Sequence, residues 1–241
     1  MTALPRAILF DLDDTILCAY GPPGVAWTRI TEEFAAALGS LPPARVAAAI
    51  GAHGAAFWRD PAQHKYWRFR LEEARRRVVE GAFAALAAEG HAVPDAGVAA
   101  AMADRFSKLR EAEMHCFPGA VETIDRLKDI GVKLALVTNG AAEPQRAKVT
   151  RFALEHRFDH IQIEGEHGFG KPEEQAYRHA MGALGVGPKD TWMVGDHLEW
   201  EVAAPQRLGI YAIWLDAYDV GLPPGSAIRP DRIIRSLPEL L

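Results

Sequence analysis

The chain is short of cysteine, of sustained apolar runs and of positive charge. Two cysteines, Cys18 and Cys116, among 241 residues build no disulfide framework and suit a reducing cytoplasm. No apolar run reaches the length of about 18 residues that a bilayer span needs, so no membrane partner is expected. The opening Met1-Thr2-Ala3-Leu4-Pro5-Arg6 lacks a basic region ahead of an unbroken apolar core. The run from Ala7 stops at Asp11, unlike a signal peptide. A formal charge of −5 speaks against a phosphate-backbone binder, which usually carries a basic face. Neither internal repeats nor low-complexity tracts occur, and the Ala-rich patches read as helix.

What is present is an ordinary globular composition, 49% hydrophobic and 24% charged. The length suffices for one large domain or for a core with an inserted module. Ala7 to Phe10 reads as a buried strand that breaks into three carboxylates, Asp11, Asp13 and Asp14, within four residues. Packing alone does not account for them. In an open α/β sheet, chemistry gathers beyond the carboxyl ends of strands.

After the break Gly21-Pro22-Pro23-Gly24, helical spacing holds for about ninety residues. One helix carries Trp27, Ile30 and Phe34 on one face, and a second runs from Pro42-Pro43 towards Trp58. A third runs from about Gln63 to Ala88, with Trp67, Leu71, Ala74 and Val78 as its core stripe. A fourth opens at Pro94-Asp95. Four helices with short breaks read as a small bundle.

From Phe117-Pro118-Gly119 onward, strand and helix alternate. The expected strands are 132–137, 161–163, 191–194, 210–215 and 232–234. This rhythm predicts a parallel sheet covered on both faces, joined by the first strand. The fold class is therefore α/β, a Rossmann-like parallel-sheet core with an inserted helical-bundle cap. The core takes residues 1–17 and 114–241, and the cap takes 18–113.

Four polar signals sit at or just past expected strand ends: Asp11/Asp13, Thr138-Asn139, Lys171 and Asp196. In a parallel sheet they converge on one edge. Carboxylates with a single Lys and no competing Cys/His set suit a hard cation such as Mg2+, bound through oxygen. The nine histidines show no metal-binding spacing, and His53, His64 and His115 read as surface or pocket residues.

These motifs resemble the haloacid dehalogenase (HAD) superfamily of hydrolases, in the phosphoglycolate-phosphatase-like subgroup with a helical (C1-type) cap after the first strand. Asp11-Leu12-Asp13-Asp14-Thr15 matches the first motif, Thr138 the second and Lys171-Pro172 the third. Gly195-Asp196 with Glu199 and Glu201 matches the fourth. The resemblance implies a Mg2+-dependent phosphatase acting on a small phosphorylated metabolite: phosphoglycolate, a sugar phosphate or a nucleoside monophosphate. It makes Asp11 the nucleophile and a metal ligand, forming an aspartyl phosphate. Asp13 becomes the general acid/base, its carboxyl tuned upward by anionic surroundings, and its main-chain carbonyl a second metal ligand. Thr138, Asn139 and Lys171 hold the phosphoryl group, and Asp196 completes the metal set. The family's second acid in the last motif is usually Asp, whereas position 201 carries Glu201. Its extra methylene shifts it towards a more distant role, and either Glu199 or Glu201 is left to orient metal-bound water.

In the cap, Lys65, Arg68, Arg70, Arg75, Arg76 and Arg77 either face an anionic substrate or form a solvated side. Trp58 and Tyr66 are candidates to stack on a substrate, while Trp67 belongs with the packing. A cap of this kind is expected to open and shut over the site. The chain is expected to be cytoplasmic, and a monomer or homodimer. A sugar phosphomutase differs only in its cap. A 2-haloacid dehalogenase lacks the acid found here at Asp13, and a non-catalytic binding protein would not need all four motifs.

Overall fold

The computed structural model describes residues 4–22 and 24–241. Met1, Thr2, Ala3 and Pro23, which enter the leader and break readings above, lie outside the described residues. The chain divides into two compact units, Met1–Cys18 with His115–Leu241, and Ala19–Met114.

In chain order the elements begin with β1 (Ala7–Phe10) and β2 (Leu17–Cys18). The helical unit follows: α1 (Val25–Glu33), α2 (Pro43–Phe57), α3 (Pro61–Trp67), α4 (Leu71–Ala88) and α5 (Ala96–Glu113). Then come β3 (His115–Cys116), α6 (Ala120–Asp129), β4 (Lys133–Thr138), α7 (Ala142–Arg151), β5 (His160–Ile163), α8 (Glu164–His167) and α9 (Glu174–Leu184). Strand β6 (Thr191–Gly195), a π-helical turn at Leu198–Ala203, α10 (Ala204–Arg207), β7 (Tyr211–Leu215) and β8 (Arg232–Ile234) complete it.

The six expected strands form one sheet in the order β5-β4-β1-β6-β7-β8, every pair parallel. This is the doubly wound Rossmann order, with its reversal point beside the first strand. β1 is wholly buried and pairs with β4 on one side and β6 on the other. That burial explains its unbroken apolar run, since a strand covered on both faces has no polar side to show. Phe10 stands level with Leu136 and Val194. The chain therefore leaves the sheet at Asp11 beside the ends of β4 and β6. One face of the sheet is covered by α9, whose Tyr177, Ala180, Met181 and Leu184 pack on Ala7, Leu9 and Met193. A short antiparallel pair, β2 with β3, joins the two points where the core's chain is interrupted.

The helical unit has a core built from α1, α2, α4 and α5, including Ile30, Val46, Ile50, Val79, Phe83, Met102 and Phe106. Trp27 stacks on Phe106 at 4.1 Å. Asp95 caps α5 by accepting the Val98 N–H, as Pro94-Asp95 suggested. The helix expected over 63–88 is two helices, broken at 68–70, with a separate Asp60 cap on α3. Trp67 therefore leaves the stripe of Ala74 and Val78. It is half-buried at the end of α3, against Phe57 and Tyr66.

The arginines of α4 are largely engaged on the protein itself. Arg76 pairs with Asp104 at 2.8 Å, Arg77 with Glu80 at 3.4 Å, and Arg75 donates to Ser107. Much of that charge run is thus a solvated, self-paired face.

Candidate active site

Asp11 is 7% exposed and follows the buried strand β1 directly. One of its carboxylate oxygens accepts from the Lys171 ammonium, and the other accepts from the Thr15 hydroxyl at 3.3 Å. Asp14, with φ 53°, takes the left-handed conformation that turns the chain.

Lys171 is fully buried, and its ammonium also contacts Glu201 at 2.7 Å. Burial alone would lower the Lys171 pKa, but the facing Asp11 and Glu201 carboxylates outweigh it and hold the amine protonated. Such a buried cation is stable only when paired. Its backbone is pinned as well: the Asn139 amide donates to the Lys171 carbonyl at 2.7 Å and accepts its N–H at 2.8 Å. Asn139, expected among the phosphate ligands, here has its carbonyl and one N–H engaged in positioning Lys171. Gly170 makes the approach feasible, because a Cβ there would lie 2.6 Å from Asn139 Oδ1 and 2.7 Å from Glu164 Cδ.

Glu201 and Glu199 are separated by the structure. Glu199 pairs with Arg207 at 2.8 Å on an exposed face. Glu201 is fully buried, with one oxygen on Lys171 and the other accepting the His197 N–H at 2.8 Å. The extra methylene does not move Glu201 outward. The π-helical turn carries it back under the end of β6, over Gly195. π-turns recur at functional sites.

Asp13 interacts with the nearby Asp11 carboxylate and is also held by a cation: Lys148 donates to both of its oxygens, at 2.8 and 2.7 Å, and Gln145 donates at 3.0 Å. The same Gln145 nitrogen donates to Thr138 Oγ1 at 2.6 Å. With that oxygen accepting, the Thr138 hydroxyl keeps its own proton for another acceptor. Lys148 and Gln145 were not singled out in the sequence. They lie three apart on α7, so one face of that helix delivers both.

Asp196 follows the end of β6. Burial, then Glu201, Asp11 and Asp14, push its carboxyl well above the usual carboxylate range. Burial, with Glu201 and Asp13 adding and Lys171 opposing, pushes Asp11 up to about 6. Burial likewise raises Glu201 against the pull of Lys171. Three carboxylates therefore share one ammonium, leaving negative charge that a cation would neutralise. Asp11 and Asp196 offer hard oxygen donors, and this donor set fits Mg2+.

A model of haloacid dehalogenase-like hydrolases matches residues 5–209. The chain belongs to this family. Among characterised relatives, it is 37% identical over 100 residues to phosphoserine phosphatase from Thermus thermophilus, covering 42% of this chain and 40% of that one. Over 119 residues it is 33% identical to glyceraldehyde 3-phosphate phosphatase from Pyrococcus furiosus, covering 49% and 48%. Over 110 residues it is 36% identical to N-acylneuraminate-9-phosphatase from Rattus norvegicus, covering 45% and 44%. The matched stretch spans under half the length of each relative.

Among solved structures, the HAD-hydrolase YfnB from Bacillus subtilis, bound to magnesium, superposes with a TM-score of 0.68 at 24% identity. That match covers 99% of this chain and 97% of YfnB. L-2-haloacid dehalogenase from Xanthobacter autotrophicus does so at 0.62 and 17%, covering 98% and 97%. At these identities the likeness concerns the fold alone. A HAD fold hosts more than one chemistry, so the side chains must decide.

Proposed function

We propose that this HAD hydrolase is a Mg2+-dependent phosphatase for small phosphate monoesters, working through a phospho-aspartate on Asp11. The observation that carries this reading is the buried Lys171 held between Asp11 and Glu201. It presents a fixed cation where an anionic nucleophile must meet an anionic phosphoryl group. The three relatives named above, all phosphatases of small phosphorylated metabolites, support the substrate class. The side chain at Asp13 favours phosphoryl transfer over dehalogenation, which needs no acid there.

In the first step an Asp11 oxygen attacks phosphorus while the bond to the ester oxygen breaks. Asp13 gives that leaving oxygen its proton. In the second step Asp13 takes a proton from water as the water attacks phosphorus. The Asp11–phosphorus bond breaks, releasing inorganic phosphate and restoring the carboxylate. Thr138 donates its hydroxyl to a phosphoryl oxygen, and Lys171 neutralises charge shared between Asp11 and the phosphate. Asp13 must exchange Lys148 for the leaving oxygen, so Lys148 and Gln145 act as positioning residues. The Asp11 and Asp196 carboxylates and the Asp13 carbonyl would hold Mg2+, which supplies further screening of the phosphate charge.

A panel of phosphorylated metabolites assayed with Mg2+ tests the reading. Phosphate release from small monoesters is expected, and release from none would overturn it. Asp11→Asn should keep the wild-type circular dichroism spectrum and lose turnover by orders of magnitude, because an amide is no nucleophile here. Near-normal turnover in that variant would refute the mechanism. A mutase would need a bisphosphate activator and would return the phosphate to a sugar hydroxyl.

A further inference from the structure

Away from the carboxylate centre, three histidines far apart in sequence come together on the core unit. His160 opens β5, His167 ends α8 and His179 lies within α9. Their ligand nitrogens lie within 4.8 Å of one another. Ring centroids are 5.0 Å apart for His167–His179, 5.3 Å for His160–His179 and 6.2 Å for His160–His167. The rings are steeply inclined to each other, at 54–77°, so they surround a point rather than stack.

Hydrogen bonds set two of these rings for coordination. His167 Nδ1 lies 3.1 Å from the Ile163 carbonyl, which can only accept. Nδ1 therefore carries the proton, and a neutral His167 presents a lone pair at Nε2. His179 Nδ1 lies 2.8 Å from Gln162 Oε1, and the Gln162 amide nitrogen donates to the Ala176 carbonyl at 3.0 Å. Gln162 is thus oriented to accept, and His179 also presents Nε2. On His160, Nε2 is buried and has no hydrogen-bond partner. A buried polar atom left unmatched needs a reason. Burial first, then His179 and His167, lower the His160 pKa against an opposing interaction with the Gln162 side chain, and favour its neutral form.

We propose that His160, His167 and His179 form a binding site for a borderline transition-metal dication of the zinc class. Three imidazoles match the donor type and number of tris-histidine zinc sites. A tetrahedral zinc with bonds of about 2.0–2.1 Å holds nitrogen pairs about 3.4 Å apart, so binding would draw together nitrogens that lie within 4.8 Å of one another. The metal would join β5, α8 and α9. His167 lies four residues before Lys171 and His179 eight after it, so the bound ion clips both flanks of the segment that carries the active-site lysine.

The test is calorimetric titration of the full, tag-free chain with zinc chloride, with millimolar Mg2+ present to occupy the carboxylate centre. One equivalent of zinc should bind and raise Tm. Cobalt chloride should give the visible absorption of a tetrahedral nitrogen site. Asp196→Asn should leave both signals in place. His167→Gln and His179→Gln should each weaken zinc binding more than a hundredfold, with the fold checked by circular dichroism. Gln162→Ala, which removes no ligand, should weaken it by about 10–100-fold. If wild-type protein binds no stoichiometric zinc, or the His167→Gln and His179→Gln variants bind it as wild type does, the site does not exist.

Discussion

The Asp13–Lys148 pair is the residue-scale feature with the most to say about turnover. Its members are 21% and 16% exposed, so the contact is shielded enough to hold a preferred rotamer. Lys148→Met removes the cation and leaves Gln145 alone to place Asp13. The expected outcome is a loss of about 10–100-fold in kcat, less than the roughly 10²–10⁴-fold of a whole general acid/base contribution, because Asp13 itself remains. KM should change little, and the kcat–pH profile should shift. Lys148→Arg should recover part of the rate. Steady-state kinetics across pH check this, and an unchanged kcat and profile in Lys148→Met would remove Lys148 from the catalytic account. Asp11, Asp13, Thr138, Lys171 and Asp196 stand out in the sequence because each sits where a readable strand stops. Lys148 and Gln145 do not, because their relevance depends on which face α7 turns to the end of β1. The three histidines were equally hidden: each belongs to a different element, so their sequence spacing carries no signature.

At the scale of elements, the most constrained junction is the end of β6. A Cβ on Gly195 would lie 2.1 Å from Glu201 Cγ and 2.9 Å from Glu201 Cβ. Glu201 has little freedom to yield, since both its oxygens are engaged. Gly195→Ala should therefore cost about 1–3 kcal/mol in urea unfolding, the range for an overpacked core. It should also lower turnover by loosening Lys171. A variant with wild-type stability and rate would show that the π-helical turn moves freely. The strands were legible as apolar runs between glycine, proline and polar breaks. The turn at Leu198–Ala203 was not, because its register depends on Glu201 reaching Lys171. The break at 68–70 leaves no mark in the sequence because Trp67, Leu71 and Ala74 keep helical spacing across it. The two-residue strands β2 and β3 are too short to leave a pattern.

At the scale of the whole molecule, the proposed Mg2+ site would link pH and metal through the same carboxylates. Burial pushes the Asp11 carboxyl up to about 6, against about 3.9 in an unfolded chain. Its folded pKa is raised, so its contribution to stability is full below about pH 4 and is lost as pH rises through about 6. Asp196 and Glu201 are shifted in the same direction. A cation that takes up this charge restores what is lost. The difference in Tm between Mg2+ and EDTA should therefore widen by several degrees from pH 5 to pH 7. It should shrink in Asp196→Asn. Differential scanning calorimetry measures both, and a gap independent of pH would contradict this account.

The position of β1 also sets a schedule for biosynthesis. This fully buried strand lies at residues 7–10, while its partners lie at 133–138 and 191–195. At about 5–20 residues per second, a ribosome delivers β6 roughly 10–40 s after β1. The centre of the sheet is thus made well before it can be enclosed. The helical unit, encoded between them, has all its residues available well before the sheet does. Until then the apolar run Ala7–Phe10 stays without its β6 neighbour, so enclosure of the sheet's centre waits on the synthesis of β6.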